Sequence, residues 1–197
     1  MQNQASRQVF DYWIHLSGER AAPQRTQIDP VALRRFLPHL FIASDNPDGE
    51  ISFRLAGTRI CDLFGREFRG SPFASMWLGD ESTAALEVVE SVILDERPAL
   101  LGLRASKGEE SHAYEMLLLP VRSGQIASDR VLGALVPQHD PFPETALPAA
   151  GLTLDSWTFL ERDGEASAMN VDDSNVSPLA RIRRLLPVNL FSPNRAS

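Results

Sequence analysis

ISFRLAGTRICDLFGREFRG, residues 51–70, holds the change of period on which the fold turns. Its first part alternates. Ile51, Phe53 and Leu55 fall on one side and Ser52, Arg54 and Ala56 on the other, the pattern of a half-buried strand. After Gly57 the apolar positions become Ile60, Leu63 and Phe64, three and four residues on from Ile60, which is helical spacing. A second glycine-bounded piece, 65–70, closes the stretch. A strand that breaks into short helices builds a concave wall, and concave walls hold small ligands.

Upstream, HLFIAS at 39–44 reads as a strand, and Asp45-Asn46-Pro47-Asp48-Gly49 as the turn of a β-hairpin leading into 50–56. Before it, 29–38 predicts a short helix with Asp29 as N-cap, Pro30 in its first position, and Val31, Leu33, Phe36 and Leu37 on its buried side. Arg34 and Arg35 are expected to face water. Residues 5–17 predict an amphipathic helix, with Ser6 as N-cap, Gly18 as its stop, and Val9, Phe10, Trp13 and Ile14 on one face. That face suits either packing on its own domain or a dimer interface through Val9, Phe10 and Trp13.

Downstream, Ser71-Pro72 starts another short helix. Residues 80–96 give the strongest helical pattern, with Asp80 as cap and Ala85, Val88, Val89, Val92 and Ile93 as the apolar face. Pro98 ends it. Three strand-like runs follow, at 99–105, 111–122 and 130–138, and their short connections favour an antiparallel meander. Residues 151–162 alternate well enough for another strand or an edge addition. The end of the chain is basic and apolar together, with Arg181, Arg183, Arg184 and Arg195 near Ile182, Leu185 and Leu186. It suits docking on an acidic partner or an anionic membrane surface, but Pro187 limits any helix there to about two turns, too short for stable insertion.

The 197 residues are 43% hydrophobic and 23% charged, ordinary for a globular protein. A net charge of −7 argues against general nucleic-acid binding. The single cysteine, Cys61, excludes an internal disulfide and a multi-cysteine metal site. The N-terminus, MQNQASRQVFDYW, lacks a basic head followed by an apolar run, so the cytoplasm is the expected location. The four histidines are scattered, and no phosphate-binding loop, dinucleotide fingerprint or nucleophile elbow occurs. The expectation is a non-enzyme with no metal.

The order strand, strand, short helices, long helix and three strands resembles the PAS fold, an α+β domain with a five-stranded antiparallel sheet and helices packed on one face. The N-terminal tryptophan helix, the Pro-Gln-Arg segment at 23–25, Asp29-Pro30, Leu37-Pro38, FRLAGT at 53–58 and GREFRG at 65–70 are similar to the small PAS family typical of alphaproteobacteria. The expected division is an amphipathic helix over 1–20, a PAS-like domain over 21–140, and a C-terminal extension over 141–197 with a partly flexible basic tail.

That resemblance implies a sensory or regulatory module working through a small molecule, a protein partner, or a homodimer. It also bears on cofactors. Haem sensors of this fold ligate iron through a histidine on the long helix, and 80–96 contains none. Flavin photoreceptors carry a cysteine where this chain has Phe68. Haem and a photoactive flavin are both disfavoured. The expected pocket lining is Phe53, Leu55, Ile60, Phe64 and Phe73 on one side and Val88, Val92, Leu101, Leu103 and Met116 on the other. Arg59 and Arg66 are candidate anion contacts at its mouth. The same apolar residues would also serve as a filled core, which corresponds to a ligand-free interaction or localisation scaffold. A small enzyme acting on an anionic substrate is the remaining alternative.

Overall fold

The alternation at 51–56 does form a strand, but with an extra residue in it. In the computed structural model, which describes residues 1–107, 110–138 and 148–161, β1 (Leu40–Asp45) and β2 (Ile51–Ala56) pair as an antiparallel hairpin. Ile42 faces Leu55, whereas the next residue, Ala43, faces Phe53. Arg54 is therefore a bulge, and side chains beyond it change face. The turn closes with Gly49 N–H donating to the Asn46 carbonyl and Asn46 N–H to the Glu50 carbonyl.

Helix α2 (Thr58–Phe64) follows at once and stops at Gly65, whose left-handed φ of 63° suits glycine. A 3₁₀ turn at Phe73–Met76 leads to α3 (Glu81–Asp95). Strands β3 (Ala99–Lys107), β4 (Glu110–Val121) and β5 (Arg130–Pro137) form the meander. The alternating run after 150 is a strand as well, β6 (Gly151–Phe159), antiparallel to β3. The sheet thus has six strands, in the order β2-β1-β5-β4-β3-β6.

Helices pack on both faces of this sheet. On one, α2, α3 and the Phe73–Met76 turn cover Phe41, Phe53, Leu101, Leu103, Met116 and Leu118. On the other lies α1 (Gln4–Ser17), whose Val9, Phe10 and Trp13 pack with Leu117, Leu119, Val121 and Leu132. Trp13 is 1% exposed, and its indole N–H donates to the Pro120 carbonyl at 2.9 Å. The outward face of α1 is polar, with Gln4, Arg7, Asp11 and His15 exposed. The apolar stripe is consequently spent on its own sheet, and in this arrangement it is not available as a dimer surface.

Local signals were partly misplaced. Asn3, not Ser6, caps α1, its side chain accepting from Ala5 N–H at 2.7 Å; Ser6 is buried within the helix. Residues 30–36 form successive turns rather than a helix, although Asp29 does accept from Val31 N–H at 2.8 Å. Only Leu33 of their four expected apolar anchors is buried; Val31 and Leu37 are exposed, and Phe36 is half-buried. Asp80 makes no side-chain cap bond, while Glu81 beside it accepts from Leu154 N–H of β6 at 3.2 Å. The basic tail around Arg181, Arg183, Arg184 and Arg195 lies outside the described residues.

Helix α3 ends at Glu96, a non-glycine residue with φ 51°. Its carboxylate accepts from Arg122 Nε at 2.6 Å, from a second Arg122 nitrogen, and from Ser128 Oγ at 2.8 Å. Burial by itself would raise this carboxyl, but the bonds from Arg122 and Ser128 and the Arg122 charge outweigh it and hold it below its ordinary value. A depressed carboxyl stabilises the fold above the ordinary carboxylate range and loses that contribution as pH falls through its folded value.

Two outcomes are expected in urea denaturation. Trp13→Ala should cost about 3–5 kcal/mol, for a large buried side chain with its hydrogen bond. Stability should fall between about pH 7 and about pH 3, and Glu96→Gln, less stable at the upper value, should lose less on acidification.

Candidate functional site

Nine of the ten expected pocket residues share one cluster: Phe53, Ile60, Phe64, Phe73, Val88, Val92, Leu101, Leu103 and Met116. Leu55 does not join them. It is 51% exposed, because the bulge at Arg54 turns it to the opposite face of the sheet. Within the cluster the aromatic rings meet directly. Phe53 lies 5.4 Å from Phe41, 5.0 Å from Phe68 and 5.7 Å from Phe73, and Phe64 lies 5.0 Å from Phe68. Trp77 extends the row, 5.8 Å from Phe73. Such pairs contribute about 0.5–1.5 kcal/mol each beyond their burial. Phe68 is fully buried among them. Where the sequence reading placed a concave wall, the strand and the short helices meet through aromatic rings packed on one another.

The expected anion contacts are otherwise engaged or turned outward. Arg66 donates to the Ser75 carbonyl at 2.5 Å, and its guanidinium sits 4.3 Å from the Phe68 ring centroid, so it fastens the loop after α2 to the next turn. Arg59 is exposed on α2. Arg54, which was not among them, donates from the bulge to Ser44 Oγ at 2.5 Å and to Asn46 on the hairpin. Cys61 is buried on α2. Burial first, and then the nearby Glu67, push its thiol above the ordinary value. A protonated thiol is a poor nucleophile.

A cleft lies on the α1 side of the sheet, and sequence reasoning missed it. A second bulge makes it. Gly102 faces Ser156, while Leu103 faces Leu154, so Asp155 is the extra residue of β6. Leu152 and Leu154 therefore point to the α2/α3 face, and past the bulge Trp157 and Phe159 do so instead. Ser156 and Thr158 pass to the α1 side. There they line a cleft of about 250 Å³ with Leu100, Gly102 and Glu115, bordered by Met1, Gln2 and Gln138.

Glu115 is 2% exposed, and its carboxylate accepts from the backbone N–H of Gln2 at 2.9 Å and of Asn3 at 3.2 Å. The sequence did carry a signal for it. Glu115 stands in the same alternate row of β4 as Leu117, Leu119 and Val121, an acid in an apolar register. Among the described residues no group of acidic, histidine or cysteine side chains is arranged to hold a metal ion.

Five antiparallel strands, with helices over one face and an N-terminal helix on the other, form the α+β body of a PAS-type domain. Residues 1–136 match the family model PAS_5, described as PAS domain, and the chain belongs to that family. No curated protein and no solved structure matches it. The matched span includes α1 and ends within β5, leaving β6 beyond it. No described helix is long and apolar enough to cross a membrane.

Phe68→Ala should lower stability by about 3–5 kcal/mol in urea denaturation. The space left should be apolar enough to take up benzene, seen as a rise in melting temperature of the variant but not of the parent chain.

Proposed function

We propose that this chain is a non-catalytic PAS-type regulatory module, acting through a small molecule, a protein partner, or both. The observation that carries the reading is the seat of α1. This helix lies on the sheet face opposite α2 and α3. Every strand between them sends alternate side chains to both faces. A change in packing on one face therefore bears on the other. Displacing α1 would present Val9, Phe10 and Trp13 to a partner or to a second copy, and the homodimer through these residues belongs to that released form.

A ligand-free scaffold is the second reading, favoured by the ring-on-ring packing around Phe53. The reading as an enzyme on an anionic substrate has less support, since Arg66 is committed to Ser75 and Phe68.

The test is a thermal-shift screen of small metabolites, followed by hydrogen exchange across α1. Sensing predicts a compound that raises the melting temperature and alters exchange at residues 4–17. If no compound binds and α1 stays protected throughout, the scaffold reading replaces it. Light scattering that gives a monomer with and without such a compound, unchanged by Trp13→Glu, excludes the dimer.

A further inference from the structure

Glu115 carries a negative charge into an otherwise apolar row and is almost wholly removed from water. A carboxylate has about four acceptor positions, and the N–H groups of Gln2 and Asn3 occupy two. Among the described residues no cationic side chain forms an ion pair with it. A charge buried so deeply is costly unless a counter-charge and donors complete its surroundings. The cleft at Glu115 leaves room for both.

We propose that this cleft binds a small organic ammonium ion, with its NH₃⁺ group on the Glu115 carboxylate. An ammonium offers donors and no acceptor. The groups around it can accept: the Ser156 and Thr158 hydroxyls, and the Gln138 amide oxygen, whose nitrogen already donates to the Tyr114 carbonyl at 3.4 Å. Leu100 supplies an apolar contact for a short carbon chain. Gly102 keeps the floor low, since a Cβ there would come within 2.7 Å of Ser156 Oγ. The volume of about 250 Å³ lies just below the ~300 Å³ at which drug-sized pockets begin, which limits the occupant to a small amine. Anions are repelled by the same carboxylate. Because Ser156 and Thr158 come from β6, outside the family-matched span, the site is built by this chain's own extension.

The proposal deepens the sensing reading and rests on it for one consequence. Glu115 also holds Asn3, the cap of α1, so an ammonium sharing the carboxylate acts on the start of that helix.

The experiment is a titration of the ¹⁵N-labelled full chain with butylammonium, 1-butanol and butyrate, followed by NMR. Butylammonium should shift the amides of Gly102, Glu115 and Ser156 saturably, and the other two should not. Glu115→Gln should weaken this binding about tenfold or more, the scale of a hydrogen bond to a charged group. Ser156→Leu, which fills the cleft without touching the hold on α1, should abolish it, and decides the matter if Glu115→Gln does not fold. No saturable shift, an equal response to butanol, or unchanged affinity in the folded variants overturns the site. Saturable binding that leaves hydrogen exchange in α1 unchanged keeps the site and counts against the sensing reading; absence of binding leaves that reading to its own screen.

Discussion

The interior of this domain depends on one close approach. Phe41 of β1 pairs with Gly133 of β5, and any Cβ at 133 would overlap the Phe41 ring. With that space free, Phe41 lies flat against the strand and is wholly buried. Phe53 then meets it edge to face at 5.4 Å and Phe73 at a tilt at 6.2 Å, and Phe68 and Trp77 build outward from those two. A side chain at 133 would displace the first ring and with it the order of the others. Interiors this dense transmit small displacements rather than absorbing them. Gly57 plays a similar part at the start of α2, where a Cβ would run into the carbonyls of Leu37 and Pro38. Two glycines thus set the spacing between hairpin, meander and α2.

The sheet then acts as a partition. Its strands were legible because each carries a run of apolar residues bounded by turn signals, and α3 because its apolar positions repeat at the helix period. The PAS resemblance followed from their order, and the family match supports it. The alternating run beyond residue 150 was legible as an edge addition and takes that place beside β3. What periodicity could not supply was the location of the bulges. Nothing in ISFRLA marks Arg54 as the extra residue, because a bulge is set by the pairing of two strands rather than by either one. Leu55 was assigned to the wrong face for that reason. Ser156 and Thr158 were overlooked for the same one.

Charge tells a comparable story. Short-range rules found the hairpin turn and the Gly18 helix stop and placed Asp80 at the start of α3, but they put the cap of α1 at Ser6 rather than Asn3 and gave Asp80 a side-chain bond that it does not make. The long-range partners lay beyond any sequence window. Glu96 and Arg122 are far apart in the chain and meet where α3 ends, with Ser128 completing the carboxylate's bonds. Glu115 and the first turn of α1 are farther apart still. Each of these acids ties a helix terminus to the sheet: Glu96 the end of α3, Glu81 the start of α3, Glu115 the start of α1. Apolar packing decides which face a helix covers, and these carboxylates decide where along the sheet it sits.

The two outer strands have a consequence for how this domain meets other chains. Along β2, Phe53 exchanges backbone hydrogen bonds with Gly70 and Ser71, and Ser52 bridges to Pro72. At the other end of the sheet, the first half of β6 is occupied by Trp77 and Leu78, with Leu78 N–H donating to the Leu152 carbonyl at 2.9 Å. Irregular segments thus occupy part of the free ladder at both margins. Open ladders invite strand-by-strand accretion, the route to filaments and aggregates. Here the margins are poor templates for it, and recognition falls to side-chain surfaces, whose shape and charge discriminate between partners in a way that a row of backbone amides does not.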